Sequence, residues 1–82
     1  MIEINDQLSI EDLLQAWVNI SYRMFFKREK NKETAETRKQ IIDRLRTKGI
    51  NSIVIAGMDH ESYTLEYNQY NNKRIKRIII EK

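Results

Sequence analysis

The stretch Leu45–Gly57, "LRTKGINSIVIAG", is where the chain changes its period. Upstream, Ala35, Ile41, Ile42 and Leu45 fall on one side of a helical wheel. Downstream, "SIVIAG" (Ser52–Gly57) is a short apolar run, long enough only for a strand. Gly49 stands between the two patterns. It suits the left-handed position that follows a helix, and Ile50 is placed to fold back on Leu45, as in a Schellman motif. The chain therefore reads as helical before this point and as sheet after it.

Working back, "KREKNK" (Lys27–Lys32) interrupts the helical period, and Asn31 is positioned to cap a second helix that runs to Lys48, with Glu33 in its first turn. Ser9 is the cap of a first helix. Asp12 completes a capping box, and Glu11 and Asp12 suit the positive end of the helix dipole. Ile10, Leu13, Leu14, Trp17, Ile20, Ser21 and Met24 share one face, with Val18 and Phe25 at its edge. Glu11, Asp12, Gln15, Asn19 and Arg23 lie opposite, and the helix should reach Phe26 or a little beyond. "MIEIN" (Met1–Asn5) alternates and could add a short first strand.

Working forward, "ESYTLEYN" (Glu61–Asn68) alternates, with Tyr63, Leu65 and Tyr67 on one face. "KRIKRIIIEK" (Lys73–Lys82) is a third strand with a parity conflict, because no strict alternation puts all its isoleucines on one side. A single bulge near Arg77 is predicted to turn Ile75 inward on one side and Ile78 and Ile80 on the other. "MDHE" and "QYNN" have turn chemistry, and Asn71-Asn72 tolerate positive φ. The expected fold is α+β: two helices packed on a three-stranded antiparallel meander, residues 1–82 forming one domain.

Several function classes are disfavoured. The chain has no cysteine, so disulfides and thiolate metal sites are excluded. The first ten residues lack a basic region and an apolar core, which argues against a signal peptide. No apolar run approaches the roughly 20 residues of a membrane span, and the expected location is the cytoplasm. His60 is the only histidine, and its neighbours Asp59 and Glu61 diverge from it in a turn. No phosphate loop, HExxH motif or nucleophile elbow is present, so no catalytic residue, metal or cofactor is assigned and an enzyme is not expected. Ile, Lys and Asn make up 28 of 82 residues, a bias common in AT-rich bacterial, phage and archaeal-virus genomes. The chain is expected to be a small regulatory protein of a phage, archaeal virus or other mobile element.

The net charge of +3 is distributed in blocks: −4 over residues 1–20, +6 over 21–48, −3 over 49–72 and +4 over 73–82. Blocks of this kind give a folded surface distinct acidic and basic faces. Arg23, Lys27, Arg28, Lys30 and Lys32 form one basic cluster; Lys73, Arg74, Lys76 and Arg77 form another, with Tyr63, Tyr67 and Tyr70 close in sequence. Cations beside aromatic rings can hold phosphates and stack bases, so the two clusters together are the candidate nucleic-acid site.

The phrase "KQIIDRLRTKGI" (Lys39–Ile50), with Ile41, Ile42, Leu45, Gly49 and Ile50, followed by Tyr63 and Leu65 in "SYTLEY", resembles part of a winged helix-turn-helix DNA-binding domain over residues 34–67. That resemblance implies transcription regulation, a helix from about Thr34 in the major groove and a wing tip near Met58–Glu61. A second reading is a small non-catalytic inhibitor or adaptor of a host protein, such as a nuclease or polymerase complex. Tyr22 and Phe26, one turn apart on the polar side of the first helix, would be its contact, and a homodimer is a third possibility. Arg38 falls on the inward face of the second helix, where it either snorkels or pairs with an acid from residues 1–20.

Overall fold

The computed structural model describes residues 8–81; the Met1–Asn5 strand lies outside the described residues. Two helices, α1 (Ile10–Phe25) and α2 (Lys32–Thr47), precede three strands, β1 (Ile50–Met58), β2 (Ser62–Gln69) and β3 (Asn72–Ile79). The strands form an antiparallel sheet in the order β1-β2-β3, the expected α+β arrangement.

Side chains set the helix ends. Ser9 Oγ accepts from Asp12 N–H at 3.1 Å, and the Asp12 carboxylate accepts from Ser9 N–H at 3.3 Å. The same reciprocity starts α2, where Asn31 Oδ1 accepts from Thr34 N–H at 2.9 Å and Thr34 Oγ accepts from Asn31 N–H at 3.1 Å. These pairs satisfy amides that a helix start otherwise leaves open. At the far end of α2, Gly49 has φ +84°, as expected, and its N–H donates to Arg46 O at 3.0 Å. A Cβ at this position would also meet the Tyr70 ring, which would have to swing aside, so the left-handed backbone is the main reason for glycine and the ring a lesser one.

Helix α1 is the central element of the core. It buries Leu13, Leu14, Ala16, Trp17, Val18, Ile20 and Ser21, whereas α2 buries only Thr34, Ile41 and Leu45. Ile50, Tyr63, Leu65, Tyr67, Ile78 and Ile80 meet them from the sheet side. Helix α2 therefore lies toward one edge and leaves a flank open beside β1.

The predicted bulge in β3 is absent. Its register with β2 runs unbroken from Ser62↔Ile79 to Gln69↔Asn72. Ile78 is buried, while Ile75 and Ile79 remain 64% and 50% exposed on the outer sheet face, with Arg77 between them. The reason is electrostatic. Lys76 shares the helix-side face with Ile78, and Glu11 of α1 receives its ammonium at 3.2 Å. With that charge answered, the strand needs no extra residue to expel it.

The irregularities fall in β1 instead, between Asn51 and Val54 and between Ile55 and Gly57. Ile50 and Ile53 are three residues apart, yet both join the core side. A strand can do that only by inserting a residue, and Ser52 adopts φ 57° there. The β2–β3 turn slips by one from expectation: Tyr70 and Asn71, rather than Asn71 and Asn72, take positive φ, at 49° and 67°. Two consecutive residues of this kind form a type I′ hairpin turn, whose twist matches the strands.

Candidate nucleic-acid interface

Helix α1 lies along β3 and runs in the same direction. Glu11 meets Lys76, Gln15 Nε2 donates to Ile79 O at 2.7 Å, and Asn19 Oδ1 accepts from Glu81 N–H at 3.1 Å. The Arg23–Lys32 cluster lies beyond the Asn19 end of this contact, and Lys73 and Arg74 beyond the Glu11 end. On the order of 25 Å of chain separates Lys73 from Glu81 at strand rise. The two basic clusters are thus separate surfaces.

They also differ in how their charge is answered. In the strand cluster, Lys73 Nζ is 3.1 Å from Glu66, Lys76 is held by Glu11, and Arg77 lies 3.7 Å from Asp59. Asp59 is tied into the β1–β2 turn. Its Oδ1 accepts from the backbone N–H groups of Glu61 and Ser62, both at 2.8 Å. These bonds, Glu61's foremost, together with the Ser62 hydroxyl and Arg77, hold its carboxyl below the ordinary range. Of the tyrosines expected to stack beside this cluster, Tyr63 and Tyr67 are buried in the core and only Tyr70 is exposed. That expectation is corrected for the first two: their faces belong to the packing of α1 on the sheet.

The loop cluster is built differently. Arg23 Nε donates to Glu29 Oε2 at 2.7 Å, Glu29 N–H to Arg23 O at 3.1 Å, and the Thr34 hydroxyl to Glu29 O at 2.6 Å. These bonds fix the turn between the helices, with Arg28 at φ 56°. Lys27, Arg28, Lys30 and Lys32 project from it, all exposed. Among the described residues none of the four has a carboxylate within 4 Å. Phe25 and Phe26 stand beside them, 48% and 59% exposed. Lys30 Nζ lies 5.8 Å from the Phe25 ring centre, and Phe26 stacks on Tyr22 with centroids 5.2 Å apart and planes 24° from parallel.

The loop half of the residues assigned from sequence to nucleic acid, Arg23–Lys32, and the pair assigned to protein contact, Tyr22 and Phe26, therefore share this end of the molecule. Phe25, expected at the edge of the buried face, is instead half exposed. It is exposed because α1 outruns the sheet here. The signal was the dense run of cations that follows it, since a helix end so charged is a solvated end.

The turn residue His60 is exposed, and among the described residues no group of His, Asp and Glu could hold a metal ion. Among the same residues, no helix is long and apolar enough to cross a membrane. No protein-family model matches the chain, and no curated protein or solved structure is significantly similar to it.

Proposed function

We propose that this chain is a small, non-catalytic, cytoplasmic regulatory protein that binds nucleic acid through the loop between its helices. Lys27, Arg28, Lys30 and Lys32 contact phosphates, and Phe25 and Phe26 offer faces to unpaired bases. The observation that carries this reading is the group of cations with no described carboxylate within 4 Å, beside exposed rings on a hydrogen-bonded turn. A pre-ordered turn loses little conformational freedom on binding, which favours affinity. The strand cluster is secondary, because three of its four cations, Lys73, Lys76 and Arg77, already have carboxylates within 4 Å at the surface. In the winged-helix analogy α2 would enter the major groove, but its outward Glu36 and Asp43 oppose phosphate, and the loop is the better anion surface.

Fluorescence anisotropy of labelled single-stranded and duplex oligonucleotides, titrated at several salt concentrations, tests this. Changing Lys27, Arg28, Lys30 and Lys32 together to Gln should flatten the dependence of log K on log salt by about 3, at roughly 0.7–0.9 per lost phosphate contact. Changing Lys73, Arg74 and Arg77 to Gln should flatten it by about 1 or less. Absence of wild-type binding to either form at low salt would end the nucleic-acid reading. The protein-adaptor reading would then take its place, since Phe26 on Tyr22 is also an anchor suited to a protein pocket.

A further inference from the structure

The flank left open between α2 and β1 contains a cleft of about 350 Å³. Its apolar lining is Ile42, Ile50 and Ile53, its charged lining is Arg38 and Arg46, and no acid borders it. Arg38, Ile42 and Arg46 are spaced by four, so they form one stripe of α2, the two arginines separated by about 12 Å of helix rise. Bulging of β1 at Ser52 belongs to the same place, since Ser52 also lines the cleft.

Arg38 is the unusual member. Its guanidinium is half-buried, 5.1 Å from the Trp17 ring centre, with Nε 3.4 Å from Ser21 Oγ. Among the described residues it has no carboxylate within 4 Å; of the acids expected as partners, Glu11 and Asp12 do not reach it, and Glu3 and Asp6 lie outside the described residues. Burial pushes its pKa down, and the Trp17 ring and the Ser21 hydroxyl are the neighbours that answer the charge. Arg46 is exposed and only loosely answered, 3.8 Å from Asp43. Trp17 also lines the cleft, is 3% exposed, and its buried indole N–H has no acceptor among the described residues. Buried donors without acceptors are uncommon and call for a reason. Two cations and an apolar wall, with no acid among the lining residues, match the needs of one kind of guest.

We propose that this cleft binds a small organic anion, with a carboxylate or phosphate held by Arg38 and an aliphatic body lying against Ile42, Ile50 and Ile53. Arg46 stands at the same stripe and supplies the second charge. Nucleic acid is a poor occupant here, because the Arg38 guanidinium already covers the Trp17 ring and leaves no open aromatic face for a base. The site is therefore independent of the loop between the helices.

Trp17 is the only tryptophan, so its emission and its single indole N–H resonance report on this cleft alone. Octanoate and octyl phosphate are the probes; octanol has the same body without charge, and inorganic phosphate has the charge without a body. Saturable shifts of both signals are expected with the amphiphilic anions, each binding about tenfold or more tighter than octanol or inorganic phosphate. The two anions against each other tell which head group is preferred. Arg38→Gln should weaken binding about tenfold or more, and Arg46→Gln about threefold, as for lost charge-assisted contacts. Arg46 is exposed, so Arg46→Gln stays informative even if Arg38→Gln fails to fold. No saturable shift by either anion up to about 10 mM, a K weaker than roughly −3 kcal/mol of binding, would overturn the proposal. So would octanol binding as well as octanoate, or Arg46→Gln binding like wild type.

Discussion

Strands β1 and β3 are the two edges of one sheet, and both carry isoleucines whose spacing breaks strict alternation. In β1, residues Ile50–Met58 include no charged side chain. There the backbone yields, and the register with β2 shifts twice, which brings both Ile50 and Ile53 to the core side. In β3 the awkward residue is Lys76, and Glu11 stands on α1 to receive it. The backbone stays regular, and two isoleucines are left facing water. Parity conflict in a strand therefore states a problem without naming its solution. The solution depends on whether the opposite layer offers a partner for the side chain that falls on the wrong face.

The contrast is broken most directly by truncating isoleucines in β3. Ile78→Ala removes a buried side chain set against Tyr63 and should cost about 2–4 kcal/mol, as such cavities do. Ile75→Ala should stay within about 0.5 kcal/mol, as exposed substitutions do. Urea unfolding of both variants measures the difference, and similar costs would restore the bulge at Arg77 with Ile75 turned inward.

A smaller effect concerns β2, which both edges share. The Tyr63 hydroxyl is fully buried and has no hydrogen-bond partner among the described residues. Tyr63→Phe should therefore stabilise the protein by about 1 kcal/mol at neutral pH, the desolvation cost of an unpaired hydroxyl. Burial, and secondarily the nearby Tyr22, push the Tyr63 pKa up. Because the folded pKa is raised, the stability linked to it is complete below pH about 10, where the free phenol titrates, and is lost as pH rises toward the folded value. The gap in Tm between Tyr63→Phe and wild type should widen above pH about 10. A constant gap across that range would show that the phenol is not held neutral by burial and that its pKa is not raised.

The smallest effect sharpens the comparison itself. Ser52 holds φ 57°, a region costly to residues with a Cβ, so Ser52→Gly should gain about 0.5 kcal/mol after the extra freedom of the unfolded glycine is counted. The same change at Arg77, in regular strand, should lose about 0.5–1 kcal/mol. Equal signs at the two sites, in paired thermal melts, would remove the distinction between bulged and regular edge.

The parts of the fold that depend on near neighbours were legible in the sequence. Ser9, Asn31 and Gly49 mark helix ends through bonds spanning three or four residues, and the alternation of Tyr63, Leu65 and Tyr67 marks the inner face of β2. The parity of β3 was not legible because it turns on Glu11, which lies 65 positions from Lys76. The candidate interface divides in the same way. The dense cations of Lys27–Lys32 are visible as a charge block, but the neutralisation of the second cluster requires Glu66, Asp59 and Glu11 to be folded against it. Arg38 was visibly out of place on an apolar face. That no described carboxylate reaches it emerged only once the helices were packed.

The contact of Tyr70 with Gly49 has a consequence in time. The β2–β3 hairpin is local and can close within microseconds, and the end of α2 can form on a similar scale. Yet the Tyr70 N–H donates to the Gly49 carbonyl at 3.0 Å, and its ring covers the glycine, only when β1 has already zipped onto β2. One bond thus latches the start of the sheet to its last turn, across 21 residues of sequence. Helix end and distal hairpin, each quick to form alone, are held to a single cooperative event, so fraying at either one exposes the other.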